Sequence, residues 1–158
     1  MIPKAGARIM GLDNPLGKMS KSEGTDSHAI YLLDTPSKVK KTVMRAVTDS
    51  LGEIGFSDIS ERAGINNLLT IYQSLSQLSQ EQTEAHFAGK GYGDLKKAVV
   101  EVVNTTLEPL QKRFAEIMDE PGYLDDILAR GANKARLMAN QTLQQVKEKV
   151  GLLPANLP

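Results

Sequence analysis

Five consecutive residues, Lys18-Met19-Ser20-Lys21-Ser22, set between Gly17 and Gly24, bring two ammonium groups and two hydroxyls into one short loop. Lysine supplies mobile positive charge, serine supplies a donor for a phosphoryl oxygen, and flanking glycine lets the backbone fold close to a ligand. The chemistry this suits is stabilisation of charge that develops on a triphosphate as a bond at its α-phosphorus breaks. The loop is not a Walker A sequence. Gly11 and Gly17 are one residue too far apart, and Met19 stands where that motif requires a magnesium-binding hydroxyl.

Composition narrows the alternatives. A chain of 158 residues with 41% apolar residues can bury one core. Nineteen basic and nineteen acidic residues cancel, so any nucleic-acid contact must come from segregated charge. There is no cysteine, which removes disulfides and thiolate metal sites and fits a reducing cytoplasm. His28 and His86 are far apart and lack partners at ligand spacing, so the expectation is packed or solvated histidines and no protein metal site. The opening Met1-Ile2-Pro3-Lys4 begins neither a signal peptide nor a membrane span. A cytoplasmic protein is expected, with no membrane partner.

The elements that must position the loop follow from periodicity. Ala7 to Met10 and Ile30 to Leu33 are short apolar runs with the character of strands, and they bracket the loop. From Thr35 the period becomes helical, with Thr35 as N-cap and Pro36 at the first helical position. Val39, Val43, Ala46 and Val47 form one stripe, and Lys38, Lys41 and Arg45 form a charged face. Ile65, Leu68, Leu69, Tyr72 and Leu75 form a second stripe, and Ser79 with Gln82 reads as a capping box. Asp94 is placed to cap a long helix carrying Leu95, Val99, Val103, Leu107, Leu110, Phe114 and Ile117, which Pro109 is expected to kink or split. Pro121 opens a last helix, interrupted at Gly131, with Ala135, Ala139, Leu143, Val146 and Val150 on one face and Gly151 and Pro154 at its end. Lys96, Lys97, Lys112, Arg113, Lys134 and Arg136 are further basic positions, read either as a phosphate track or as solvated surface. Tyr72, Tyr92 and Phe114 are possible stacking surfaces for bases, with spacing that favours core for Tyr72 and Phe114.

The loop string resembles the second signature of class I aminoacyl-tRNA synthetases, and the stretch from Gly6-Ala7-Arg8-Ile9-Met10 to Ser22 is similar to the tryptophanyl-tRNA synthetase version of it. Ala46-Val47-Thr48-Asp49-Ser50, Ala63-Gly64-Ile65-Asn66-Asn67-Leu68-Leu69 and Gly91-Tyr92-Gly93 with Leu95 and Lys96 extend the resemblance, which weakens after Glu108. The tyrosyl-tRNA synthetases share the lysine-serine loop. The resemblance implies a mainly α fold, a helical bundle of the anticodon-binding kind over 35–158, preceded over 1–34 by a remnant of a Rossmann-like α/β catalytic domain. It implies that the last helix returns toward the catalytic domain.

By the same resemblance, Lys18, Ser20 and Lys21 are catalytic: they bind the ATP phosphates and stabilise departing pyrophosphate as tryptophanyl-adenylate forms. Met19 is an apolar anchor within the ATP site, Ser22 a lesser contributor, and Ile9 a position whose backbone meets adenine. ATP with Mg2+, tryptophan and tRNA(Trp) are the implied substrates and partners, and a homodimer the implied assembly of the complete enzyme. The family's first signature, with histidine and glycine, and the amino-acid pocket are absent from this sequence. The chain therefore reads as a C-terminal portion, inactive by itself. The competing readings are a free-standing helical tRNA-binding module and an inert truncation.

Overall fold

The computed structural model describes residues 6–22 and 25–152. The chain divides into two units, Met1–Gln111 and Lys112–Pro158. Among the described residues the apolar stripes fold as five α-helices: α1 Pro36–Met44, α2 Ala63–Ser76, α3 Gln80–Phe87, α4 Tyr92–Met118 and α5 Pro121–Lys149. A single 3-10 turn, Ser60–Arg62, leads into α2.

The starts of α1 and α3 obey the residues that open them. The Thr35 hydroxyl accepts from the Lys38 amide with Pro36 in the first turn, and Ser79 and Gln82 form the reciprocal capping box. Gln77, with φ 57, ends α2 in the left-handed region. The C-terminus of α1 is closed from a distance. Lys96 on α4 donates its ammonium to the carbonyls of Met44 (3.3 Å) and Ala46 (2.8 Å), where the helix dipole favours a cation. Partial burial pushes this lysine below its ordinary pKa.

In the first unit the stripes meet. Val39 and Val43 from α1, Ile65, Leu68 and Leu69 from α2, Phe87 from α3, and Leu95, Val99 and Val103 from α4 are buried in one cluster. Each such side chain contributes roughly 1.5–3 kcal/mol by leaving water. Leu12, six residues ahead of Lys18, is buried in the same cluster at 2% exposure, so the approach to the loop is anchored in the helical core.

Several expectations are corrected: α1 stops at Met44, short of Ala46 and Val47, and Asp94 lies in the first turn of α4 rather than ahead of it. The runs at Ala7–Met10 and Ile30–Leu33 are not strands: among the described residues there is only an isolated antiparallel bridge, Met10 with Lys18. A strand needs partners along its length, and the backbone groups of Met10 are taken by a side chain instead. Pro109 does not split α4, which runs from Tyr92 to Met118 with the proline inside, and Gly131 does not interrupt α5. One missing hydrogen bond, or one flexible residue, is outweighed by the helix on either side. Gly24 and Pro154 lie outside the described residues.

The second unit holds the end of α4, a turn at Asp119 and Glu120, and α5. No side chain of α5 is buried. Phe114 is 45% exposed and Leu143 48%, so Phe114, expected in the core, is a surface residue.

Candidate functional site

The loop leaves and rejoins the bundle through a narrow neck. The Gly11 amide donates to the Gly17 carbonyl (2.9 Å), the Gly17 amide to the Asn14 carbonyl (3.2 Å), and the Met19 amide to the Ile9 carbonyl (2.9 Å). These bonds fold 11–17 into a closed excursion and bring Lys18 beside Met10. Beyond the neck, Lys18, Lys21 and Ser22 are exposed and Ser20 is half-buried. The hydroxyls of Ser20 and Ser22 lie 3.2 Å apart, and the Ser22 amide donates to Ser20 Oγ (3.3 Å). The loop therefore presents ammonium and hydroxyl donors, a set that suits phosphate oxygens.

Met19 and Ile9 turn their side chains inward. With Ile30, Ile71, Leu75 and Leu107 they line an apolar groove of about 410 Å³. Met19 thus packs on the helical side of the loop, while the Ile9 carbonyl is occupied by the Met19 amide.

Two residues to which the sequence assigned no role at the loop hold the neck. Asn67, 5% exposed on α2, accepts from the Met10 amide (2.9 Å) and donates to the Met10 carbonyl (2.8 Å). His28, 4% exposed, lies 2.6 Å from Asp13 through Nδ1 and 3.1 Å from the Lys18 carbonyl through Nε2. The signal for Asn67 was its placement: two asparagines in succession inside an apolar helix disfavour the helix unless their amides have work elsewhere. Asn66 is the other, bonded through its side chain to both backbone groups of Ser57.

The segment after α1 completes the support. The Val47 amide donates to the Leu12 carbonyl (2.8 Å), and Val47 in turn lies so close to α2 that a Cβ at Gly64 would stand 2.1 Å from its carbonyl oxygen. Asp49 then accepts from Tyr92, the Leu51 amide (2.8 Å) and Arg62 Nε (3.3 Å). Burial opposes the charge on Asp49, but these donors outweigh it and hold its carboxyl below the usual range. Burial and the Asp49 carboxylate push Tyr92 the other way, above its ordinary value. The matched segments at 46–50, 63–69 and 91–93 are thus one piece of scaffolding behind the loop, and Tyr92 has its hydroxyl committed there.

The basic face of α1 is partly spoken for. Lys38 pairs with Asp34 (3.0 Å) and lies 5.3 Å from the Tyr31 ring centre, and the Asp34 hydrogen bond raises its pKa. Lys41 and Arg45 are exposed. Further on, Lys97 pairs with Asp94 and Arg113 with Glu116. Tyr72 packs edge-on against Phe87 (4.9 Å) and stacks with His86 (5.6 Å), half-buried against the core. Among the described residues there is no cluster of three carboxylate, histidine or cysteine side chains able to hold a metal. No helix there is long and apolar enough to cross a membrane.

The family of tRNA synthetases class I (W and Y) matches residues 1–108. The chain belongs to this family. Class I synthetases use ATP. A tryptophan–tRNA ligase of Wolinella succinogenes is 52% identical over 153 residues, 97% of this chain and 46% of that protein. The tryptophan–tRNA ligase of Bacillus subtilis is 45% identical over 151 residues, 96% of this chain and 45% of that protein. The chain therefore spans a little under half the length of the curated relatives it matches. Its fold is similar to the crystal structure of tryptophanyl-tRNA synthetase from Mycoplasma pneumoniae, with TM-score 0.76, 33% identity, and 99% of this chain against 47% of that one. It is similar too to the Campylobacter jejuni tryptophanyl-tRNA synthetase complexed with ADP and tryptophan, with TM-score 0.71, 28% identity and coverage of 92% and 44%.

Proposed function

We propose that this chain supplies the phosphate-handling loop and the helical tRNA-binding part of a tryptophan–tRNA ligase, which activates tryptophan with ATP and transfers it to tRNA(Trp). The observation that carries the reading is the donor loop, with Lys18, Lys21 and Ser22 exposed on a neck whose backbone is clasped by Asn67. Lys18, Ser20 and Lys21 bind the triphosphate and meet the negative charge that moves onto pyrophosphate as the tryptophan carboxylate attacks the α-phosphorus. Met19 anchors the loop, Ser22 adds a weaker contact, and Ile9 borders the adenine. The donor set on the loop is cationic and hydroxylic, so Mg2+ would be held by the phosphates themselves. Residues 1–34 act as the end of the nucleotide fold and 35–158 as the tRNA-binding helices, with α5 returning to the catalytic domain. The complete enzyme works as a cytoplasmic homodimer. The ADP and tryptophan held by the Campylobacter jejuni protein support nucleotide and amino acid as ligands.

The test is a chimera in which this chain replaces the matching part of the Wolinella succinogenes ligase. Tryptophan-dependent exchange of pyrophosphate into ATP is expected from the chimera and not from the 158-residue chain alone, because phosphate stabilisation is one part of a larger constellation. A folded chimera that retains tRNA but exchanges no pyrophosphate would favour the tRNA-binding module instead.

A further inference from the structure

His28 has no part in the reading above, yet its buried ring touches two acceptors. Nδ1 lies 2.6 Å from Asp13 Oδ1, and Nε2 lies 3.1 Å from the carbonyl oxygen of Lys18. A carbonyl oxygen only accepts, and so does an ionised carboxylate. Both contacts are hydrogen bonds at once only when both ring nitrogens carry protons. A neutral ring must turn a lone pair toward either Lys18 or Asp13, and that contact becomes repulsive.

Burial of the ring opposes a charge on it, and an ionised carboxylate beside it favours one. Asp13 Oδ2 accepts from the Thr25 hydroxyl (2.8 Å) and the Thr25 amide (3.4 Å). The Thr25 hydroxyl is the main cause that lowers the Asp13 pKa; burial opposes it, and His28 adds to the lowering. The carboxylate therefore stays ionised beside the ring and favours its cation. Of the charged groups near the ring among the described residues, Asp13 bonds it directly. Lys18 offers its carbonyl while the residue is exposed, and Asp26 is exposed and acts on Lys38. Gly11 makes the room: a Cβ there would stand 2.2 Å from His28 Cε1.

The clamped group is the peptide between Lys18 and Met19. Its carbonyl meets His28, and its N–H donates to the Ile9 carbonyl at 2.9 Å. Holding both ends of one peptide fixes the direction in which the loop departs. We propose that His28, as an imidazolium bridging Asp13 and the Lys18 carbonyl, is a positioning residue for the phosphate-handling loop, and that loss of its proton releases the Lys18 end. The proposal rests on the reading above for what the loop binds, and on geometry alone for the clamp.

Nuclear magnetic resonance of the 15N-labelled chain tests it, over roughly pH 5 to 9, a range that covers the ordinary charge change of histidine and extends above it. The expected result is a His28 ring protonated on both nitrogens at neutral pH, with the Met19 amide nitrogen titrating at the same midpoint as the ring. His28→Gln should abolish the Met19 titration, and Asp13→Asn should move both midpoints down together. A singly protonated ring at neutral pH, or a Met19 resonance that stays flat through the ring's titration, would overturn the clamp; neither needs a variant that folds. ATP added on either side of the midpoint should shift the Lys21 amide more on the acid side. If ATP shifts no loop resonance at either pH, the phosphate reading fails, and the Met19 titration still decides the clamp.

Discussion

Asn67 holds Met10 by both of its backbone groups, accepting from the amide at 2.9 Å and donating to the carbonyl at 2.8 Å. A neighbouring strand would make the same pair of bonds. The side chain of a helix thereby substitutes for a sheet edge at the base of the loop, and its rigidity comes from Leu68 and Leu69, fully buried beside it. The position of Lys18, bridged to Met10, is thus tied to α2 as well as to its own segment.

Asn67→Ala should therefore act on the loop as well as on stability. Removing the amide leaves two backbone groups of Met10 without their partner, a loss of about 1–3 kcal/mol. Urea unfolding measures that loss, and hydrogen exchange at the Met10 amide should quicken well beyond the change in global stability. Equal slowing or quickening at every core amide would mean that Asn67 serves the bundle and not the neck.

The helices were legible because their signals are local: Thr35 and Pro36 open α1, Ser79 and Gln82 open α3, and the stripes from Val39 to Val103 repeat at helical spacing. The loop's five residues were legible from their chemistry. What joins the two was not. Asn67 to Met10, Asp49 to Tyr92 and Lys96 to Ala46 are separated by 57, 43 and 50 residues, and no spacing rule reaches that far. The strand-like runs misled for a related reason, since β character in a sequence says nothing about whether a partner strand is present. In α4, the penalty expected of Pro109 was read residue by residue, whereas a helix of 27 residues is held by its neighbours on both sides.

Gly64→Ala should unfold the same connection from the other end. Its Cβ would stand 2.1 Å from the Val47 carbonyl oxygen and 2.9 Å from the Val47 carbonyl carbon, and a backbone carbonyl cannot rotate aside as a side chain can. Overpacking of this kind costs about 1–3 kcal/mol. Because the Val47 amide bonds the Leu12 carbonyl at 2.8 Å, the shift should carry into the neck. Thermal unfolding would show the destabilisation, and amide shifts at Leu12 and Gly11 the transmission; a wild-type melting temperature would refute the close contact.

Acid should weaken the first unit through Asp49. Its folded pKa is depressed, so the stability it contributes is fully present above the ordinary aspartate value of about 3.9 and is lost as pH falls through the lower folded value. Asp49→Asn keeps the shape but leaves the Arg62 guanidinium, 10% exposed in its side chain, without its counter-charge. Breaking such a pair costs roughly 3–5 kcal/mol. Urea midpoints should differ most near neutral pH, and the gap between wild type and variant should narrow on acidification. Asp13 titrates in the same window, so the difference between the two proteins, rather than either curve alone, isolates Asp49. A gap constant with pH would show that shape, not charge, accounts for it.

The loop's own residues should separate by rate rather than by affinity. In the chimera, the ammonium of Lys21 meets the phosphates most strongly once charge has moved onto departing pyrophosphate, so it contributes more in the transition state than in the bound ground state. Lys21→Ala should lower the rate constant for adenylate formation by roughly tenfold or more, with a smaller change in ATP affinity. Lys18→Ala should do the same less severely, because the Lys18 backbone stays tied to His28 and Met10 whatever side chain it carries. Ser22→Ala should have the least effect, since the Ser22 hydroxyl lies 3.2 Å from that of Ser20, which remains as a donor. Single-turnover kinetics separates the two steps. A normal chemical step with a large loss of ATP affinity in Lys21→Ala would mean that the loop only holds the substrate, and the leaving-group role would pass to residues outside this chain.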